Sequence, residues 1–141
     1  MGFIRSTEMK ITLTPEQAGM LSSKERIKSV IRDHPDDVMA FDVFDGKDMI
    51  GFALVRRFEE HEYFLWDYAI DVSYQNRHKG TKALIEFIDY MKIHHNAQRV
   101  TTTYVFGNEH AKHVYEKVGF VETSVVDEPD CHEVNMVYHI K

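Results

Sequence analysis

The sequence predicts a mixed α/β domain in which about four helices flank a central mixed β-sheet of about six to seven strands. Two stretches indicate this fold class. The apolar run 63–70 passes through a short polar loop directly into an amphipathic helix, and the β-branched run 99–105 also leads into a helical stretch. With 141 residues and 43% hydrophobic content, the chain is long enough for one domain with a proper core. We therefore expect a single domain over residues 1–141.

The first elements are a short strand and two helices. Alternation of Met9, Ile11 and Leu13 predicts a strand over 8–14. Thr14 is a suitable N-cap for a helix, with Pro15 following it and a glutamine at the third helical position. Capping-box spacing over 22–25 predicts a second helix, which the Asp-His-Pro sequence at 33–35 ends.

The later elements follow the same rules. Asp45-Gly46 is a strong hairpin signal between two strand-like runs. The helix after the polar loop has an apolar stripe on one face, formed by Ala83, Leu84, Phe87, Ile88 and Met91. The predicted strands are 38–45, 47–58, 62–72, 99–105, 120–126 and 133–140, with a turn at 127–130.

Composition excludes several classes of protein. The net charge of −6 argues against a nucleic-acid binder and suits a cationic small substrate. The chain lacks an apolar run of membrane-spanning length and a secretory signal at its start, so we expect a cytoplasmic protein that binds no membrane. The single cysteine, Cys131, forbids an internal disulfide.

The polar loop has the features of an anion site. Arg77, His78 and Lys79 precede Gly80 at the start of the long helix, where free N–H groups and the helix dipole favour a negative charge. A phosphorylated ligand would suit this corner. The alternative is a solvated turn before an ordinary core helix.

Two motifs resemble those of the GNAT acetyltransferases. Gln75-Asn-Arg-His-Lys-Gly80 resembles motif A, the loop that binds the pyrophosphate of acetyl-CoA, with His78 at the place of its first glycine. Asn108-Glu-His-Ala-Lys-His-Val-Tyr115-Glu-Lys-Val-Gly-Phe120 resembles motif B and meets every signature position. As a helix, it would begin at an asparagine N-cap and end at a glycine. The resemblance covers residues 38–139.

The resemblance implies a GNAT fold with acetyl-CoA as the co-substrate. It implies that Tyr115 returns a proton to the leaving thiolate, although this side chain could also serve only in packing. Asn108 would bind the pantetheine arm. The remaining residues implied to bind acetyl-CoA are the backbone groups of Tyr68, Ala69 and Ile70, and the loop residues Arg77, His78, Lys79, Gly80 and Thr81.

The reaction also needs a group that accepts the proton of the amine. Asp67 is the first candidate for this base and Glu62 is the second. Asp71 lies on the same side of the strand as Asp67 if no bulge intervenes. Either aspartate could instead be an ordinary surface carboxylate. Ribosomal-protein acetyltransferases of the family have a glutamate base where this chain has Thr103. That difference argues against a protein N-terminus as the acceptor.

Residues 64–75 and 101–115 look most similar to bacterial spermine/spermidine (diamine) acetyltransferases. The expected function is transfer of an acetyl group from acetyl-CoA to a primary amine of a small cationic acceptor, a polyamine, by direct transfer in a ternary complex. The alternatives are an aminoglycoside or amino acid as the acceptor, a weak or inactive acetyl-CoA-binding module, and an interaction scaffold. A homodimer is the default expectation. No metal is expected, since no cysteine or carboxylate completes a site with His94, His95, His110 or His113.

Overall fold

A computed structural model of the chain describes residues 1–75 and 78–140. Its helices are α1 (Pro15–Met20), α2 (Lys24–Asp33), α3 (Lys79–His95) and α4 (Glu109–Val118). Its strands are β1 (Gly2–Ser6), β2 (Val38–Asp45), β3 (Asp48–Glu59), β4 (Glu62–Ile70), β5 (Arg99–Val105), β6 (Val121–Glu128) and β7 (Cys131–His139). A short 3-10 turn covers Val72–Tyr74.

The strands form one seven-stranded sheet in the order β1-β2-β3-β4-β5-β7-β6. Strands β1 to β4 are an antiparallel meander, and β5, β7 and β6 are also antiparallel. The two groups meet at β4 and β5, which run parallel, with α3 as the crossover between them. The predicted fold class, a mixed sheet flanked by four helices, is confirmed.

Hydrophobic side chains cover both faces of the sheet. Residues of α3 and α4 pack with Phe41, Leu65 and Met136 in the largest cluster, while Ile27 of α2 packs with Leu54 in a second cluster on the other side. The predicted apolar stripe of α3 is buried, as its five members are each at most 4% exposed.

Local capping explains most helix boundaries. Thr14 and Gln17 form the predicted capping box at the start of α1. In α2 the N-cap is Ser23, which accepts from the Arg26 N–H, so the start predicted from Ser22 is one residue too early. The hairpin between β2 and β3 is confirmed, since Asp45 pairs with Asp48 and Gly46 adopts a φ of 63°.

The predicted strand over 8–14 is wrong. The first strand is β1, which pairs with β2 from Gly2 opposite Phe44 to Ser6 opposite Ala40. The alternation that suggested a strand is real, because Met9 and Ile11 are buried against α2. Both residues lie in a segment without regular secondary structure, because β1 already pairs with the edge of β2 that this segment would need. Strand β4 also ends earlier than predicted, at Ile70, where Asp71 caps the 3-10 turn.

Candidate active site

The candidate site lies where β4 and β5 diverge. Their parallel pairing runs from Glu62 opposite Arg99 to Leu65 opposite Thr102. Both strands continue beyond these pairs, β4 to Ile70 and β5 to Val105, without further pairing between them in the described chain. The divergence exposes one backbone edge of β4 in the middle of the sheet, a place where an extended ligand can bind.

A β-bulge sets the direction of the side chains at this edge. Leu54 of β3 pairs with Asp67, whereas the next residue, Val55, pairs with Leu65, so Trp66 is an extra residue in β4. The side chains of Trp66 and Ala69 therefore pack on the α2 side of the sheet, while Tyr68 packs toward α3.

The backbone groups predicted to bind the ligand face two directions. The Ala69 carbonyl oxygen lies 2.8 Å from the position that a Cβ on Gly51 would occupy, so it faces β3. The backbone groups of Tyr68 and Ile70 alternate with it and face the gap. At the gap the Ile70 carbonyl accepts hydrogen bonds from the side-chain amides of Gln17, at 3.0 Å, and Gln75, at 3.1 Å.

The loop before α3 presents backbone donors toward the same region. His78 is the N-cap and has a φ of 58°, the left-handed conformation that glycine adopts most easily. The first helical hydrogen bond runs from the Lys82 N–H to the His78 carbonyl, so the N–H groups of Lys79, Gly80 and Thr81 precede the helical ladder. They are available to an anion. Arg77, also predicted here, lies outside the described residues.

Two contacts fix the position of this helix end. The Tyr68 hydroxyl donates to the Gly80 carbonyl at 2.6 Å, which ties β4 to α3. The Lys79 ammonium forms an ion pair with Asp45 of the β2–β3 hairpin, and this pairing lowers the pKa of the Asp45 carboxyl. Lys79 thus holds the loop against the hairpin, while its backbone N–H remains at the helix end.

Asp67 is buried, with 4% of its surface exposed. One carboxylate oxygen accepts the Ser22 backbone N–H at 3.0 Å, and the other, Oδ2, is buried with no hydrogen-bond partner among residues 1–75 and 78–140. Burial raises the pKa of this carboxyl, although the hydrogen bonds from Ser22 and the charge of Arg26 oppose the change. A carboxylate with a raised pKa and a free oxygen is suited to accept a proton near neutral pH.

Tyr115 is buried on α4, with 8% of its surface exposed. Burial raises the pKa of its phenol; the Thr102 hydroxyl beside it lowers that pKa, and the nearby Asp67 charge raises it. Burial and the neighbouring Tyr115 also raise the pKa of Tyr68. The Tyr115 phenol therefore stays protonated at neutral pH and can donate to a developing anion. The structure brings Tyr115 and Asp67, the two predicted catalytic residues, into the same region.

Asn108 starts α4. Its side-chain oxygen accepts from the Ala111 N–H at 3.2 Å, and at the other end Gly119 caps the helix with a φ of 121°. A ring carbon of Tyr138 lies 2.9 Å from the position that a Cβ on Gly119 would occupy, so this position also needs glycine for space. The asparagine and glycine of the second motif therefore fix the ends of the helix that carries Tyr115.

The other carboxylates considered as bases are engaged elsewhere. Both oxygens of Asp71 accept backbone hydrogen bonds at 2.8 Å, one from Thr12 and one from Ser73. Glu62 forms an ion pair with Arg99 at 2.7 Å, at the opposite end of β4 from Asp67. Asp67 is the better placed of the three.

Sequence reasoning missed three residues of this region: Thr102, Ser22 and Gln17. Thr102 is 1% exposed, and its hydroxyl donates to the Leu65 carbonyl at 3.0 Å, where the parallel pairing ends. The run of three threonines at 101–103 does not show which of them is buried. Strand alternation indicates only that the side chain of Thr102 lies on the opposite face of the sheet from those of its two neighbours. The contacts of Ser22 and Gln17 with β4 join residues 45 and 53 positions apart, and no local pattern signals them.

These features fit acetyl-CoA: N–H donors at a helix end for its diphosphate, an open strand edge for its extended arm, and a protonated phenol for its sulfur. A family model described as the acetyltransferase (GNAT) family matches residues 5–120. The chain belongs to the GNAT acetyltransferase family. It is an acetyl-CoA-dependent N-acetyltransferase of that family.

Solved structures show the same GNAT fold. A GNAT family acetyltransferase from Elizabethkingia anophelis with acetyl-CoA bound is 14% identical; the match covers 99% of this chain and 97% of that one, with a TM-score of 0.71. The spermidine N-acetyltransferase from Vibrio cholerae in complex with CoA and spermine is 15% identical; the match covers 88% of this chain and 82% of that one, with a TM-score of 0.71. The ribosomal-protein-S5-alanine acetyltransferase from Vibrio fischeri is 22% identical; the match covers 82% of this chain and 69% of that one, with a TM-score of 0.65. None of the curated proteins gives a significant match.

Among the described residues, no three His, Cys, Asp or Glu side chains are grouped as a metal site would require. None of the helices in residues 1–75 and 78–140 has the length and apolar character needed to cross a membrane.

Proposed function

We propose that this GNAT acetyltransferase acetylates a primary amine of a small cationic acceptor, a polyamine, by direct transfer in a ternary complex. The observation that carries the proposal is Asp67, whose buried carboxylate has one oxygen without a partner among residues 1–75 and 78–140 and whose charge raises the pKa of the Tyr115 phenol. A buried carboxylate in this position can attract an ammonium group and then remove its proton. A protonated phenol nearby completes the pair of groups that acyl transfer to an amine needs.

Each residue has one role in this proposal. The N–H groups at the start of α3 hold the diphosphate of acetyl-CoA, with the backbones of His78, Lys79, Gly80 and Thr81 around it. The backbone edge at Tyr68 and Ile70 orients the arm that carries the thioester, and Asn108, the N-cap of α4, binds the same arm. Ala69 supports this edge through its pairing with β3.

Proton transfers at two atoms accompany the reaction. Asp67 Oδ2 takes a proton from the acceptor ammonium, so the amine nitrogen gains a free electron pair and forms a bond to the acetyl carbon. As the carbon–sulfur bond breaks, the Tyr115 hydroxyl gives its proton to the sulfur. The acylated nitrogen loses its second proton as the amide forms, and this proton restores the phenol, while Asp67 releases its own proton to solvent. Because burial raises the pKa values of both groups, one is a stronger base than an exposed aspartate and the other stays protonated.

A polyamine suits the charge of the protein. The net charge is −6, and Asp67 supplies a desolvated negative charge at the reaction centre. The spermidine N-acetyltransferase that shares the fold is named for such an acceptor. Thr103, where ribosomal-protein acetyltransferases of the family have a glutamate, argues against a protein N-terminus. An aminoglycoside or an amino acid is the second candidate class, because either also offers a cationic primary amine.

Release of free thiol from acetyl-CoA tests the proposal across spermidine, spermine, an aminoglycoside, lysine and a peptide with N-terminal alanine. We expect turnover with the two polyamines. Tyr115→Phe and Asp67→Asn should each lower kcat by at least about 100-fold. Tyr104→Phe and Asp42→Asn are matched controls, because Tyr104 is a buried tyrosine bonded to Glu122 and Asp42 is a buried aspartate with one unpartnered oxygen in the described chain.

Three outcomes distinguish the alternatives. Binding of acetyl-CoA without turnover on any amine would favour an inactive acetyl-CoA-binding module. Turnover only with the aminoglycoside or lysine would replace the polyamine by that acceptor. Equal losses in Tyr115→Phe and Tyr104→Phe would refute the assigned role of the phenol, since both changes remove a buried hydroxyl.

We also propose that the protein acts in the cytoplasm as a homodimer that pairs through β6. This strand is at an edge of the sheet, and two of its three valines, Val121 and Val125, are each 56% exposed. An edge strand with exposed valines offers unpaired backbone groups and apolar surface to a second copy. Sedimentation equilibrium should give a mass near twice the 16.6 kDa of the chain, and a mass of one chain would refute this pairing.

A further inference from the structure

Thr102 is a buried polar residue on an otherwise apolar face of β5. Val100, Thr102 and Tyr104 alternate along the strand and are 1%, 1% and 7% exposed. Val100 and Tyr104 belong to the hydrophobic cluster that also contains Tyr115. Valine has nearly the shape of threonine and would avoid the cost of burying a hydroxyl group. Packing alone therefore does not explain a threonine at this position.

The Thr102 hydroxyl has two partners. It donates its single hydrogen to the Leu65 carbonyl at 3.0 Å, at the last pair of the parallel ladder and directly before the bulged Trp66. Its oxygen is a hydrogen-bond partner of the Tyr115 phenol. Because the threonine hydrogen is used by Leu65, the phenol donates to Thr102 in the free protein. The three groups form a chain from Tyr115 through Thr102 to Leu65.

The other neighbours of Tyr115 disfavour its ionised form. Burial raises the pKa of this phenol, and the charge of Asp67 raises it further. The hydroxyl of Tyr68 is held by the Gly80 carbonyl at 2.6 Å, so its hydrogen is not free for Tyr115. Among the described residues, the Thr102 hydroxyl is the neighbour that opposes these effects.

We propose that Thr102 is a positioning residue for acetyl transfer, which orients the Tyr115 hydroxyl and then stabilises the phenolate that Tyr115 becomes. The inference rests on the proposed role of Tyr115 as proton donor. As the phenol O–H bond breaks and the S–H bond forms, the Thr102 hydroxyl turns from the Leu65 carbonyl to the phenolate oxygen, with its own O–H bond intact. A hydrogen bond to an anion is stronger than one to a neutral phenol, so Thr102 lowers the energy of the state in which the phenolate forms. When a proton returns to Tyr115, Thr102 turns back to Leu65.

A double-mutant cycle of Thr102→Val and Tyr115→Phe tests the inference with the amine that turns over fastest. We expect Thr102→Val to lower kcat about 30-fold, while the KM values for acetyl-CoA and the amine stay within about twofold. In the Tyr115→Phe background the same change should lower kcat less than about twofold, because no phenolate forms. Thr102→Ser keeps the hydroxyl and should retain at least about a third of the wild-type kcat. If the valine variant does not fold, Thr102→Cys replaces it in the cycle, since a thiol is a weak donor.

The same four proteins report on the contact without any substrate. Each single change breaks the same hydrogen bond, so the loss in unfolding free energy of the double variant should be smaller than the sum of the two single losses. Urea denaturation measures these values. Thr101→Val is the matched control, since it removes a hydroxyl from the opposite face of β5. It should leave kcat within about twofold of the wild-type value and should show no coupling to Tyr115→Phe.

Two results would overturn the inference while the proposed function stands. One is an equal loss of kcat from Thr102→Val in the wild-type and Tyr115→Phe backgrounds, since a merely structural effect acts in both. The other is a loss in Thr102→Ser as large as in Thr102→Val, because the hydroxyl would then have no part in the effect. Wild-type protein that turns over no amine would instead overturn the proposed function, and with it this inference.

Discussion

Replacing His78 by glycine should make the protein more stable and should tighten acetyl-CoA binding. His78 has a φ of 58°, which costs a residue with a side chain about 1–2 kcal/mol. Glycine removes that cost, but it adds about 0.5–1 kcal/mol of chain entropy to the unfolded state. The central values of these two ranges leave a net gain of about 0.5–1 kcal/mol.

The corresponding change in melting temperature follows from the chain length. The entropy of unfolding is about 2.1 cal/mol/K per residue, so 141 residues give about 300 cal/mol/K. A gain of 0.5–1 kcal/mol then raises Tm by about 2–3 °C. Removal of the Cβ also lets the backbone N–H groups approach the diphosphate more closely, and we expect acetyl-CoA affinity to rise about fivefold.

Asn96 provides the control. It caps the other end of α3 with a φ of 56°, and asparagine tolerates this conformation better than most residues do. Asn96→Gly should therefore change Tm less than His78→Gly and should leave acetyl-CoA affinity unchanged. Calorimetry gives both quantities. A His78→Gly variant that melts at a lower temperature or binds acetyl-CoA more weakly would refute the reasoning, because the imidazole would then be a favourable part of the site.

Three further predictions concern stability. Gly51→Ala should lower the free energy of unfolding by about 1–3 kcal/mol in urea denaturation, because the new Cβ would lie 2.8 Å from a backbone carbonyl of β4; Gly19→Ala, with nothing within 4 Å, should not. Asp67→Asn should raise Tm at pH 7: burial raises the pKa of the Asp67 carboxyl, so ionising this group above about pH 4 destabilises the wild-type fold, and asparagine cannot ionise. An equal gain in Tm at pH 3 and at pH 7 would contradict this. Lys79 lowers the pKa of Asp45, so this ion pair stabilises the fold above about pH 4 and is lost in acid. Lys79→Met should therefore make the free energy of unfolding, measured by urea denaturation, depend less on pH between about pH 5 and pH 2.5, and an unchanged pH dependence would disprove the assignment.

The sequence predicted those parts of the fold that depend on neighbouring residues. Asn108 and Gly119 bound α4 as expected, because each acts through hydrogen bonds or backbone angles within its own turn. The strand predicted at 8–14 failed for the opposite reason. Its alternating burial was correct, but the partner of β2 is decided by competition with residues 2–6, which no local pattern records.

The candidate site divides in the same way. Tyr115 could be placed through its motif, whereas the state of Asp67 could not be read from the sequence. Its burial depends on the bulge at Trp66, which is a matter of register between β3 and β4, and on the Ser22 N–H from a distant loop. Sequence spacing identified the carboxylate, and only the tertiary structure shows that one of its oxygens is buried without a hydrogen-bond partner in the part of the chain that the structure describes.

The short parallel ladder between β4 and β5 has a consequence for how the protein is made. Residues 2–70 form four strands by antiparallel pairing between neighbours, so this half of the sheet can form on the ribosome before β5 is synthesised. Asp67 belongs to the first half and Tyr115 follows β5 in the second. A nascent chain that ends before β5 can therefore form this half of the sheet but lacks Tyr115, so the proposed reaction requires the second half to dock.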